Sequence, residues 1–199
     1  MKKNILIKIL GLFMIIVLTM SVLGCGTKEQ NSNQQIAGTG ENKEETFETV
    51  GTFTAQDIYG NEVTEAVFSD YDITLVNMMA TWCGPCVNEM PDLAQLQKDM
   101  SDKKVNIVVV VLDTGAGEEI DENAVAKAQE LAEISDAEMT FMIPDSGYMN
   151  GRAANVSAVP ESFFVDSNGN IVSEPYVGAK NYDKWMKIVE YELGRLQAE

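Results

Sequence analysis

Residues 105–112 read Val-Asn-Ile-Val-Val-Val-Val-Leu, β-branched almost throughout and broken only by Asn106. β-Branched side chains favour extended backbone, and a run apolar on both sides of the pleat fits a strand covered on both faces of a parallel sheet. The flanking sequence supplies the elements that such a sheet needs. Residues 53–58 and 62–64 flank Tyr59-Gly60-Asn61 and read as a small hairpin, and 73–79 is an apolar run of strand length. Helical spacing follows over 85–100, and again over 124–134, where Ala and Leu recur at helical intervals. Further on, 139–143 reads as a short strand, 148–156 as a short helix, 162–165 and 170–173 as strands about a turn at Ser167-Asn168-Gly169, and 182–196 as a closing helix. This alternation predicts an α/β sandwich with helices on both faces of one sheet. No internal repeat interrupts it.

The first 24 residues do not belong to that fold. Lys2, Lys3 and Lys8 precede or begin an uncharged apolar run over 9–18, and the segment closes on Val22-Leu23-Gly24-Cys25. This is the layout of an export signal, and the run is short of the roughly 20 residues that a membrane-spanning helix needs. Residues 22–25 resemble the lipobox of bacterial lipoproteins, although Val22 and Leu23 stand where leucine and a small residue are usual. The resemblance implies lipidation at Cys25 and a chain held at the extracytoplasmic face of a membrane; an uncleaved anchor or an ordinary signal peptide fits the same layout. Residues 26–46, rich in Gly, Asn, Gln, Thr and Glu, read as a solvated tether. The expected organisation is therefore signal peptide 1–24, tether 25–46 and one domain over 47–199.

Charge and composition exclude several chemistries. The chain carries 14 basic and 31 acidic residues. Removing residues 1–24 takes three lysines and no carboxylate, which moves the net charge from −17 to −20. Such a surface repels phosphate backbones, so nucleic acid is not an expected partner. The absence of histidine from the sequence removes Ser-His-Asp hydrolysis, Cys-x-x-Cys-His haem attachment and histidine zinc sites. Three cysteines are too few for an all-cysteine zinc site. The acidic stretch 118–122 reads as a solvated loop leading into a helix, where its charge suits the helix N-terminus.

Both cysteines beyond residue 25 lie in Trp82-Cys83-Gly84-Pro85-Cys86. The spacing permits a disulfide across one turn, and the motif follows a strand and opens a helix. Cys83 is therefore expected at a helix N-terminus, where unpaired N–H groups and the helix dipole favour a thiolate. A thiol pKa near 8.5 falls to roughly 3.5–7.5 in such settings. Cys83 is the candidate nucleophile, and Cys86, a turn deeper, is placed to attack a mixed disulfide at Cys83 and release the partner. Pro85 suits the first helical turn, where its missing N–H would have had no partner. Half of a zinc site, or a plain structural disulfide, is the alternative reading of Cys-x-x-Cys alone; zinc would need further ligands that this sequence lacks.

The five-residue motif is identical to that of thioredoxin, and the similarity extends over most of the domain. Leu75-Val76-Asn77, Ala80-Thr81-Trp82, Glu89-Met90-Pro91, Val159-Pro160-Glu161-Ser162-Phe163-Phe164-Val165-Asp166, Asn168-Gly169-Asn170-Ile171-Val172 and Val177-Gly178 together resemble the TlpA/ResA branch of membrane-tethered thioredoxin-like reductases. The resemblance implies a thioredoxin-like fold: a central mixed sheet with helices on both faces, an N-terminal β-hairpin and an inserted strand-helix segment over 113–136. It implies a Cys83–Cys86 redox disulfide, with Cys83 attacking and Cys86 resolving. Glu89, one turn below the dithiol, is implied to tune the cysteines and take a proton, in a chain whose Asn77 stands where cytoplasmic thioredoxins carry a buried Asp. Pro160 resembles the cis-proline facing the dithiol. The Val159 backbone, with Trp82, Gly84 and Pro85, would then shape substrate docking, and Pro91 matches the proline that kinks the active-site helix. Met78 and Met79 occupy positions where the family more often has aromatics.

The activity implied is extracytoplasmic thiol–disulfide exchange, working as a reductase of exported proteins. No cofactor and no metal are expected. The implied partners are protein thiols and disulfides and a membrane electron donor of the CcdA/DsbD type, with the protein acting as a monomer. A disulfide-forming oxidase or isomerase, or a binding lipoprotein that keeps the fold around an inert disulfide, are the competing readings. A peroxidase is disfavoured, because no Thr-x-x-Cys occurs around either cysteine.

Overall fold

A computed structural model describes residues 48–116, 119–136 and 138–198. The expected signal peptide (1–24), Cys25 and the expected tether lie outside the described residues. The chain enters as a hairpin, β1 (Thr54–Asp57) and β2 (Glu62–Thr64), followed by β3 (Ile73–Met79), α1 (Gly84–Met100), β4 (Val105–Val111), α2 (Glu122–Ile134), β5 (Thr140–Ile143), β6 (Glu161–Asp166), β7 (Tyr176–Val177) and α3 (Tyr182–Leu196). The strands form one mixed sheet in the order β2-β1-β5-β4-β3-β6-β7. β3, β4 and β5 run parallel, joined by α1 and α2, while the outer pairings are antiparallel.

Every residue of β3 and β4 is buried, including the polar Thr74, Asn77 and Asn106 that interrupt their apolar runs. Their register, Ile73 opposite Val105 through Met79 opposite Val111, divides the side chains between two cores. On one face Ile73, Leu75, Met79, Ile107, Val109 and Phe164 pack under α1, α2 and α3. On the other, Val76, Met78, Val108, Val110 and Phe163 are covered by Val50, Phe53 and the single-turn helices Glu65–Phe68 and Ala153–Asn155. Helical turns thus cover both faces, but the three α-helices share one of them. The inserted region supplies α2, capped by the Asp121 carboxylate, which accepts from Asn123 N and Ala124 N. The expected strand is not there: the described residues of 113–136 hold α2 and no strand, and β5, which lies between β4 and β1, begins only at Thr140. No helix among the described residues is long and apolar enough to cross a membrane.

Two further local expectations are corrected. Residues 148–156 do not form a helix along their length. Tyr148, Met149 and Asn150 have φ of 49°, 53° and 56°, and Gly151 has 87°, so the backbone turns left-handed before one 3-10 turn at Ala153–Asn155. Left-handed backbone costs about 1–2 kcal/mol per L-residue. Specific bonds offset that cost. The Asp145 carboxylate accepts from Gly147 N and Met149 N at 2.9 and 2.7 Å, Gly151 N reaches Gly147 O at 2.8 Å, and Asn150 Nδ2 donates to the carbonyl oxygens of Val50 and Thr52. Residues 170–173 make only the isolated bridges Thr49–Asn170 and Val165–Ile171, and the pairing beyond β6 passes to β7.

Candidate active site

The carboxyl ends of β3 and β4 and the start of β6 converge beside the N-terminus of α1. Asp113, just past β4, accepts from Thr81 N at 3.0 and 3.1 Å and from Thr81 Oγ1 at 2.7 Å, which fixes the loop leading to Trp82. Cys83 is the N-cap of α1, its Sγ accepting from Cys86 N at 3.2 Å, and Pro85 sits in the first turn. Cys83 and Cys86 are joined by a disulfide with their Cα atoms 5.3 Å apart. Cys86 is fully buried and Cys83 is 5% exposed, whereas Gly84 and Pro85 are exposed and Trp82 is 72% exposed. Trp82 therefore forms a solvent-facing lip rather than a partly buried aromatic. α1 continues through Pro91 to Met100.

Across the disulfide lies the Val159–Pro160 peptide, which is cis. Val159 O stands 3.6 Å from Cys83 Sγ, and Pro160 O accepts from Gly178 N at 2.8 Å, tying the turn to the end of β7. An extended segment docked beside Val159 would meet backbone polar groups within reach of the sulfur, the geometry of strand addition.

Glu89 lies beneath the dithiol and is 2% exposed, which excludes a solvated helix glutamate. Its Oε1 accepts from Asn77 Nδ2 at 2.9 Å; its Oε2 accepts from Lys180 N at 2.9 Å and Trp185 Nε1 at 3.3 Å. Burial pushes the Glu89 pKa upward, opposed by those hydrogen bonds and by the Lys180 charge. A carboxyl so placed can take a proton closer to neutrality than a surface glutamate. Asn77 also donates to Ser162 Oγ at 3.0 Å, so its amide ties the Glu89 carboxylate to β6. Lys180 Nζ lies 4.7 Å from the Trp185 ring and donates to Gly178 O at 2.6 Å. Burial lowers its pKa while Glu89 opposes that shift.

The expected site residues Trp82, Cys83, Gly84, Pro85, Cys86, Glu89, Val159 and Pro160 thus gather at one end of the sheet, while Cys25 lies outside the described residues. Lys180, Trp185 and Asp113 join them unannounced by the sequence, as does Ser162, which it had marked only as part of the resemblance over 159–166. Only Val177-Gly178, two residues before Lys180, had marked that loop. No cluster of three or more Cys, Asp or Glu side chains able to hold a metal ion occurs among the described residues.

The AhpC/TSA family model matches residues 48–174. The thiol-disulfide oxidoreductase ResA of Oceanobacillus iheyensis is 31% identical over 113 residues, covering 55% of this chain and 52% of that protein. The thioredoxin-like protein YneN of Bacillus subtilis is 32% identical over 104 residues, covering 52% of this chain and 55% of its own. The chain thus spans about half the length of these relatives. A thioredoxin-family thiol:disulfide interchange protein from Chlorobium tepidum superposes with a TM-score of 0.59 at 22% identity, over 74% of this chain and 97% of that one. StoA from Bacillus subtilis gives 0.53 at 15% identity, over 71% and 98%. At these identities the two structures establish the thioredoxin-like fold.

Proposed function

The chain belongs to the AhpC/TSA family, and from that premise we propose that it is a thiol–disulfide oxidoreductase of the ResA type, reducing disulfides of exported proteins. The observation that carries the reading is the Cys83–Cys86 pair at the N-terminus of α1, with Val159 O beside Cys83 and a buried proton acceptor below. A peroxidase would carry threonine three residues before its reactive cysteine, where this chain has Ala80 ahead of Cys83.

In the dithiol form, the Cys83 thiolate attacks one sulfur of a substrate disulfide. The substrate S–S bond breaks, its second sulfur leaves as a thiolate, and a mixed disulfide to Cys83 forms. Cys86 gives its proton to Glu89 and attacks Cys83 Sγ, which expels the remaining substrate thiolate and closes the Cys83–Cys86 bond. Two electrons pass from the dithiol to the substrate, and the proton on Glu89 returns to a leaving thiolate or to water. Trp82, Gly84, Pro85, Val159 and Pro160 form the docking surface. A dithiol donor of the CcdA/DsbD type would restore the reduced pair by the same steps in reverse.

Residues 1–25 support export and lipid anchoring through Cys25, with the domain at the extracytoplasmic face. Gly84-Pro85, the pair found in reducing thioredoxins, supports the direction. Insulin reduction by the wild type and by Cys83→Ser tests the activity: thiol-dependent turnover lost in the variant is expected, and inertness of both proteins favours the binding lipoprotein. Equilibration with glutathione tests direction, and a strongly oxidising potential overturns the reductase assignment. Cys25→Ala is expected to release the protein from membranes.

A further inference from the structure

A buried charge pair lies beside the site without entering its chemistry. Glu161 follows Pro160 directly and opens β6, opposite Met78 on one side and Val177 on the other. Its carboxylate accepts from Arg152 Nη2 at 2.7 Å, with each side chain only 8% exposed, and the guanidinium carbon lies 4.2 Å from the Phe163 ring centroid. Burying an ion pair seldom stabilises a fold better than apolar packing of the same volume, so its contribution is sought in geometry. The two residues are the ends of one loop, 153–160, closed by their contact. Within that loop Ala154, Asn155, Ser157 and Ala158 are exposed, and its last two residues are Val159 and Pro160. Arg152 is presented from the left-handed turn, its own N–H bonded to Met149 O at 3.2 Å.

We propose that Arg152 and Glu161 are positioning residues for disulfide exchange: their ion pair clasps the 153–160 loop so that Val159 is held beside Cys83 Sγ in a pose that receives an extended protein segment. The inference rests on the thiol–disulfide reading and names what that reading needs for protein substrates. A small symmetric disulfide needs only access to Cys83; a protein disulfide must also lay its backbone along Val159.

The test compares insulin with 5,5′-dithiobis(2-nitrobenzoate) on the reduced wild type and on Arg152→Met/Glu161→Met, which removes both charges together. The expected result is a small-disulfide rate within about twofold of wild type and a loss of about tenfold in kcat/KM for insulin, carried mainly by KM. A double variant that reduces insulin at the wild-type kcat/KM, or that loses both substrates equally, overturns the clasp. If the double variant does not fold, Arg152→Lys, which keeps the charge but not the planar fork, is put through the same comparison, with the same selective loss for insulin expected. A wild type inert toward both disulfides removes the thiol–disulfide reading itself.

Discussion

Replacing Glu89 by Gln separates the carboxylate's proton chemistry from its place in the packing. Three N–H groups point at the carboxylate, from Asn77, Lys180 and Trp185. A glutamine can keep its oxygen toward Lys180 and Trp185, leaving its amide facing Asn77. Rotation of the Asn77 side chain then presents Oδ1, which is buried and has no hydrogen-bond partner among the described residues. The substitution is therefore expected to cost no more than about 1–3 kcal/mol, the penalty for one imperfectly paired buried polar group. What it removes is the proposed proton acceptor for the resolving thiol. A thiol titrating at its ordinary value near 8.5 is about 3% ionised at pH 7, so resolution would slow by up to about 30-fold. Loss of a nearby anion eases thiolate formation and makes that figure a ceiling. The deficit shrinks about tenfold per pH unit and vanishes above the thiol's own pKa. Stopped-flow release of the second substrate thiol from a preformed mixed disulfide, between pH 6 and 9, measures it. A Glu89→Gln protein that resolves within threefold of wild type at pH 7, or whose profile runs parallel to wild type, refutes the role assigned to Glu89.

The same group predicts a pH dependence of stability. Because burial raises the Glu89 pKa in the fold, its contribution is complete below the ordinary value of 4.5 and is lost as pH rises through the raised folded value. Thermal unfolding of wild type should accordingly lose ground to Glu89→Gln as pH increases across that window; a constant difference contradicts the assignment. Cys86→Ser is expected to accumulate mixed disulfides on Cys83, visible by non-reducing electrophoresis and cleared by dithiothreitol. Leu93→Ala empties a fully buried site under α1 and should lower stability by about 3–4 kcal/mol in urea unfolding. Asp113→Ala orphans Thr81 N–H and is expected to cost about 1–3 kcal/mol.

What the sequence revealed was what local pattern can encode. The β-branched run at 105–112 and the apolar run at 73–79 became the two fully buried central strands, and Trp82-Cys83-Gly84-Pro85-Cys86 placed Cys83 at a helix N-cap. Residues 148–156 misled because their handedness is set elsewhere, by the Asp145 carboxylate and by Asn150 reaching back to Val50 and Thr52. The surroundings of Glu89 were hidden for a related reason. Its hydrogen-bond partners lie 12, 91 and 96 positions away, and nothing in the spacing of a single sequence brings Lys180 or Trp185 to it. The Arg152–Glu161 contact likewise depends on that turn, in which Asn150 and Gly151 suit left-handed backbone but Tyr148 and Met149 adopt it against their propensity.

The lopsided cover of the sheet makes softening of this domain directional. Local openings begin where apolar contacts are fewest and backbone is tied by single side chains, and here that is the roof over Val76, Val108 and Phe163. Mild heat or denaturant is expected to lift that roof first and admit an apolar dye there while α1 keeps the sulfurs at its tip; amides over the α1 face exchanging as early as those of the roof would contradict it.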